Sequence, residues 1–293
     1  MISENKDKKA CCSRLKAECQ LSMFSLMDTT GQTVDLKQTL APKPWTIYGL
    51  IKVCIFIWNL QYAIYDSVKY RNGAYWFIFL TNWGILLTFL SISLTLFGFV
   101  KTIYLERQHS NQHHQQSQVD EDTVNTHTFF TRCMSTVGIL AMNLEILIIL
   151  VYWVTIYNGG AVTFQDLQVH GLLGFFSLID ILVIHRIPIR FKQIFLVYAF
   201  SITYLIWTLI HSVSSIGHYY NDNNPETDDD SIYPTVNWNK RPGAAAVMAG
   251  SLLLVVTPII FFTLWFLSTL LQPRYCITPA RSLETEDAEQ VES

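Results

Sequence analysis

Charge is scarce in this chain of 293 residues, with 15% Asp, Glu, Lys and Arg against 51% hydrophobic residues. An ordinary soluble domain carries about a quarter charged residues, and here the apolar residues stand in blocks long enough to cross a bilayer. A basic surplus is also lacking. The net charge of -3 is split between the tails, so nucleic acid has no support as a partner. Of six cysteines, at 11, 12, 19, 54, 133 and 276, none falls in a segment assigned to the outer face, and no disulfide framework is expected. The first 45 residues are polar and basic with no apolar core of a cleavable leader, so the first span is expected to act as its own insertion signal. No Asn-X-Ser/Thr acceptor lies in the outer loops, and no internal repeat or pair of Gly/Pro-broken spans marks a transporter. A large ectodomain and an outward fusion peptide are missing as well.

What remains is an all-α chain, a polytopic membrane helix bundle with six transmembrane helices. The spans fall at about 45–65, 74–100, 134–157, 167–185, 194–215 and 244–271, between a cytosolic tail (1–45) and an acidic cytosolic tail (272–293). With both ends inside, fifteen Lys and Arg fall on the cytosolic side and four on the outer side, and this bias sets the orientation. Cys11 and Cys12, beside Lys8, Lys9 and Arg14, are either sites of S-acylation or ordinary reduced thiols. His109, His113 and His114 lie in a polar run that reads as a flexible loop, with no second cluster to complete a metal site. The acidic run 221–230 reads as a solvated loop.

The polar residues inside the spans carry the chemistry, because an ionisable group at membrane depth is costly and has to face a protein interior or a wet cavity. In the stretch Val169 to Ile184, the residues His170, Ser177 and Asp180 share one stripe of an ideal helix, with Gly171 and Gly174 beside it. At about 1.5 Å per residue, Lys52, Glu145 and Asp180 come to a common depth of roughly 18–20 Å. Such a layer is either an ion-paired clamp or a proton relay. Nearer the outer face, Thr81 lies at roughly 10 Å, His170 at about 5 Å and His211 at about 6 Å. A hydroxyl and an imidazole at similar depth are the elements of a nucleophile and its base, although intramembrane Thr also bonds its own i−4 carbonyl. Zinc held by His170, His211 and His218 is another reading; neither a metal nor any other cofactor is expected.

Several short motifs resemble the rolling stone family of multi-pass membrane proteins. They are Phe79-Leu80-Thr81-Asn82-Trp83-Gly84, then His170 with Asp180 followed by Pro188-Ile189-Arg190, and the run Ser231 to Trp238 before the last span. That resemblance implies a role in cell fusion, such as that of myoblasts, or in development. More distantly, Leu80-Thr81 after Tyr75-Trp76, His170 with Asp180, and Tyr204, Trp207, His211 and Tyr233-Pro234 resemble the androgen-induced-gene family of membrane threonine hydrolases. This second resemblance implies cleavage of fatty acid esters of hydroxy fatty acids. Asp180 is shorter than the glutamate expected there, and the polar loop between the second and third spans is longer.

Three classes remain: a fusion or adhesion protein, a lipid ester hydrolase and a proton-linked transporter. For the hydrolase, Thr81 and His170 are the expected catalytic pair, with Trp83, Phe175, Trp207 and His211 lining a pocket for acyl chains. Membrane lipids, a lipid ester among them, are the expected partners, in the plasma membrane or endoplasmic reticulum. Oligomeric state is not legible.

Overall fold

The computed structural model describes residues 41, 43–69, 76–111, 120–214 and 231–271. Outside them lie Cys11 and Cys12, the side chains of His109, His113 and His114, His218, the acidic run 221–230, the C-terminal tail and most of the N-terminal one. Six helices are long and apolar enough to cross a membrane, and no strand forms among the described residues. They are α1 (Trp45–Lys69), α2 (Leu80–Asn111), α3 (Asp120–Val151, continued by Tyr152–Ile156), α4 (Phe164–Ile184), α5 (Ile194–Val213) and α6 (Pro242–Leu271). Large apolar side chains point outward all round them, among them Leu50, Val154, Phe195 and Leu254. So much exposed hydrocarbon suits lipid and not water, and the chain is an integral membrane protein.

Lipid tails are as apolar as leucine, so the helices are held by close packing and by polar contacts between them. One core cluster joins Met134 and Met142 of α3, Ile181 of α4, Val197 of α5 and Phe261 of α6. A second joins Tyr62 of α1, Ile85 of α2, and Val169 and Leu173 of α4. α3 packs against both α2 and α4, and glycine makes room on each side. A Cβ on Gly84 of α2 would stand 2.6 Å from Ile148 Cδ1 and 2.8 Å from Glu145 Oε1; one on Gly174 of α4 would stand 2.5 Å from Ile149 Cδ1.

Two features differ from the spans expected from hydropathy. α2 begins at Leu80 and not near 74, because Trp76 to Phe79 form a turn folded back on the start of that helix. Four stretches also widen into π-turns: Tyr152–Ile156 at the end of α3, Gln168–Leu172 and Ile179–Ile184 within α4, and Leu252–Val256 within α6. Each π-turn rotates the residues beyond it relative to an ideal helix, and such turns are frequent at functional sites. They break the single stripe expected in α4: His170 meets α3, whereas Asp180 meets α1 and α2.

Candidate functional site

The turn before α2 explains why Thr81 sits where it does. Backbone carbonyls in a non-helical turn at membrane depth need partners, and three side chains supply them. Asn82 Nδ2 donates to the Trp76 carbonyl (2.6 Å), Trp83 Nε1 to that of Phe77 (2.7 Å) and the Tyr204 hydroxyl to that of Ile78 (2.9 Å). On the other side, the Leu80 N–H donates to the Tyr233 hydroxyl oxygen at 3.1 Å. The Thr81 side chain and N–H lie beside that hydroxyl. Thr81 therefore belongs to the first turn of its helix.

His170 is held by its own set of contacts. Its backbone leaves the helix (φ −106°, ψ 24°) inside the first π-turn of α4. Its carbonyl accepts the Trp153 indole N–H at 2.6 Å, and its ring stacks on Tyr152 with centroids 3.6 Å apart and planes 12° apart. The Tyr152 hydroxyl stands near Asp166, which the capping box with Thr163 fixes at the start of α4. His170 Nδ1 is buried and has no hydrogen-bond partner.

Thr81 and His170 line the same cavity, of about 100 Å³, together with Tyr152, Tyr204 and Tyr233 and with aliphatic side chains of α3, α5 and α6. Its wall is apolar except for a few convergent hydroxyls and the imidazole, the make-up of a small-molecule site. A hydroxyl, a ring nitrogen without a partner and phenol donors in such an enclosure have the parts needed for acyl transfer.

The four residues expected to line an acyl pocket do not line this cavity. Phe175 projects outward and is 54% exposed, because it lies on the face of α4 turned away from the bundle. Trp83 packs edge-on against Phe200 and Tyr204, its indole committed to the turn before α2. Trp207 meets His211 edge-on, one turn along α5, and His211 is fully buried. Among the described residues, no three His, Cys, Asp or Glu side chains converge as metal ligands would.

A family model described as protein rolling stone matches residues 10–280. The chain belongs to the rolling stone family. No curated protein and no solved structure matches it.

In this rolling stone protein the polar layer divides in two. Lys52 Nζ lies 2.5 Å from Asp180 Oδ1, 2.9 Å from Thr95 Oγ1 and 2.8 Å from His185 Nε2, so each of its three hydrogens has an acceptor. Thr95 in turn donates to the other Asp180 oxygen at 2.8 Å. Lys52, Asp180 and His185 are all at most 1% exposed. Glu145 stands apart from this group, accepting the Thr88 hydroxyl at 3.0 Å with its Oε2 unpartnered. Thr88 and Thr95 are separated by two turns of α2, about 10 Å, and Glu145 occupies the upper level. Counting residues misses this because it measures depth from an assumed span end for each helix.

In the sequence, Tyr204 and Tyr233 stand out only through a resemblance and without a role, and Tyr152 and Asp166 do not stand out at all. A partial signal exists for Tyr233: an aromatic next to proline in a loop leading into a span. By hydropathy His185 reads as the end of a span. It meets Lys52 because the π-turn carries its N–H to the Asp180 carbonyl (3.0 Å) five residues back.

Proposed function

We propose that this rolling stone protein is an intramembrane hydrolase of lipid esters, with Thr81 as nucleophile and His170 as its base. The observation that carries the reading is the shared cavity: two side chains from different helices, one a hydroxyl and one an imidazole whose Nδ1 has no hydrogen-bond partner, border one apolar space. In the reaction, His170 Nδ1 takes the Thr81 proton as Oγ1 bonds to the ester carbonyl carbon, then returns it to the departing alkoxide. Water repeats the sequence on the acyl-threonine, releasing the acid. Tyr152 orients the His170 ring by stacking. A long-chain ester such as a fatty acid ester of a hydroxy fatty acid fits an apolar wall with polar groups confined to one end.

Orientation belongs to the same reading: both termini in the cytosol and the cavity toward the outer leaflet, in the plasma membrane or endoplasmic reticulum. Family membership supports a second reading, a role in cell fusion or development, which hydrolysis of a membrane lipid could serve. The test of the first is hydrolysis of a fatty acid ester of a hydroxy fatty acid by the purified protein in nanodiscs. Turnover that disappears in both Thr81→Ala and His170→Ala supports it; turnover that survives Thr81→Ala ends it.

A further inference from the structure

An acyl-transfer site needs a donor for the negative charge that develops on the carbonyl oxygen, and such donors are worth most when they are fixed before the reaction. Tyr233 stands beside Thr81 in this way. It lies in the segment between α5 and α6, and that segment is pinned to α5: Trp238 Nε1 donates to Thr208 Oγ1 (3.1 Å) and Asn239 Nδ2 to the Ser212 carbonyl (2.9 Å). Asn237 Oδ1 locks the turn by accepting the N–H groups of Asn239 (3.1 Å) and Lys240 (2.8 Å). The Tyr233 ring meets Phe79 edge-on.

The Tyr204 hydrogen goes to the Ile78 carbonyl, which would otherwise be a buried acceptor without a partner. The Tyr233 oxygen already receives the Leu80 N–H. Its own hydrogen is free to turn toward Thr81 Oγ1 or the Tyr204 oxygen, which stand beside it.

Resting on the hydrolase reading of this site, we propose that Tyr233 is its oxyanion donor. When Thr81 Oγ1 bonds to the carbonyl carbon and its proton passes to His170, the carbonyl π pair moves onto the carbonyl oxygen. That oxygen and Oγ1 then share one tetrahedral carbon, closer together than a hydrogen-bond length. A donor held on the Leu80 N–H, next in the chain to Thr81, and lining the same cavity is placed to reach it. Tyr233 keeps its proton throughout, and the negative charge leaves with the alkoxide, which His170 protonates. Burial, outweighing the hydrogen bonds it receives, holds the Tyr233 hydroxyl above the ordinary phenol range, so it remains a donor at neutral pH.

The experiment uses the full chain in nanodiscs with p-nitrophenyl octanoate as substrate and octylboronic acid as a tetrahedral mimic. Tyr233→Phe should lower kcat by about 10²-fold with little change in KM, the size of effect seen when one oxyanion donor is removed. It should weaken the boronate by a similar factor and leave octanoate inhibition unchanged. Should Tyr233→Phe not fold, Tyr233→3-fluorotyrosine keeps the size and makes the hydroxyl a stronger donor, and it should raise kcat at neutral pH. Loss of activity in Thr81→Ala beside an unchanged kcat in Tyr233→Phe or Tyr233→3-fluorotyrosine would overturn the donor and keep the hydrolase. If the wild type does not turn over, or Thr81→Ala turns over as the wild type does, both fall.

Discussion

Removing Asp180 should cost this protein more than removing Asp180 and Lys52 together. The Lys52 ammonium is 0% exposed and gives its three hydrogens to Asp180, Thr95 and His185, of which only Asp180 is an anion when His185 is neutral. Asp180→Asn leaves a buried cation with neutral partners, a loss of about 3–5 kcal/mol. Lys52→Met strands the carboxylate and should cost a similar amount. In Lys52→Met with Asp180→Leu no charge remains. Thr95 still bonds the Ile92 carbonyl at 3.0 Å, so the main residual cost is the lost Lys52–His185 hydrogen bond, about 0.5–1.5 kcal/mol. At roughly 2–4 °C per kcal/mol, each single change should lower the apparent midpoint of a fluorescence melt in nanodiscs by roughly 6–20 °C, and the double change by less. A double variant that loses as much as the two single ones combined would refute the clamp.

Glu145→Gln and Asp180→Asn should be additive in the same melts to within about 0.5 kcal/mol, since they occupy separate polar levels; strong coupling would mean that the levels communicate. Gly84→Ala should destabilise by about 1–3 kcal/mol, as its Cβ meets Ile148 and the buried Glu145 oxygen. Gly250→Ala, where a Cβ meets nothing within 4 Å, should be neutral or stabilise by up to about 1 kcal/mol. Equal losses at both glycines would contradict the packing described. Protease added to intact cells should spare epitope tags at both termini, and digestion of either tag reverses the proposed orientation.

The bundle is legible in the sequence because its signal is coarse: six apolar blocks, each long enough to cross a bilayer, and a low charge content. Individual contacts depend on finer features. Lys52 and Asp180 can be paired because ionisable side chains at similar depth have few other ways of being tolerated. Glu145 falls on the wrong level by residue count because the helices begin and end several residues from where hydropathy breaks. The acyl-pocket aromatics fail for a different reason: in a membrane protein, a large apolar side chain is as much at home facing lipid as facing a cavity, and composition cannot separate the two. Phe175 is the example. The hydroxyls of Tyr204 and Tyr233 are hidden because their partners are backbone groups of a turn that reads as part of a span. The π-turns also leave no mark in the sequence, and they decide that His170 and His185 point where they do.

The most direct test of the proposed site is covalent. A fluorophosphonate probe applied to the protein in native membranes, with peptide mass spectrometry as the readout, should place the adduct on Thr81, abolished by Thr81→Ala and strongly reduced by His170→Ala. Folded wild-type protein that takes up no probe, or carries it on another residue with Thr81→Ala labelled as before, would contradict an intramembrane hydrolase built on Thr81 and His170.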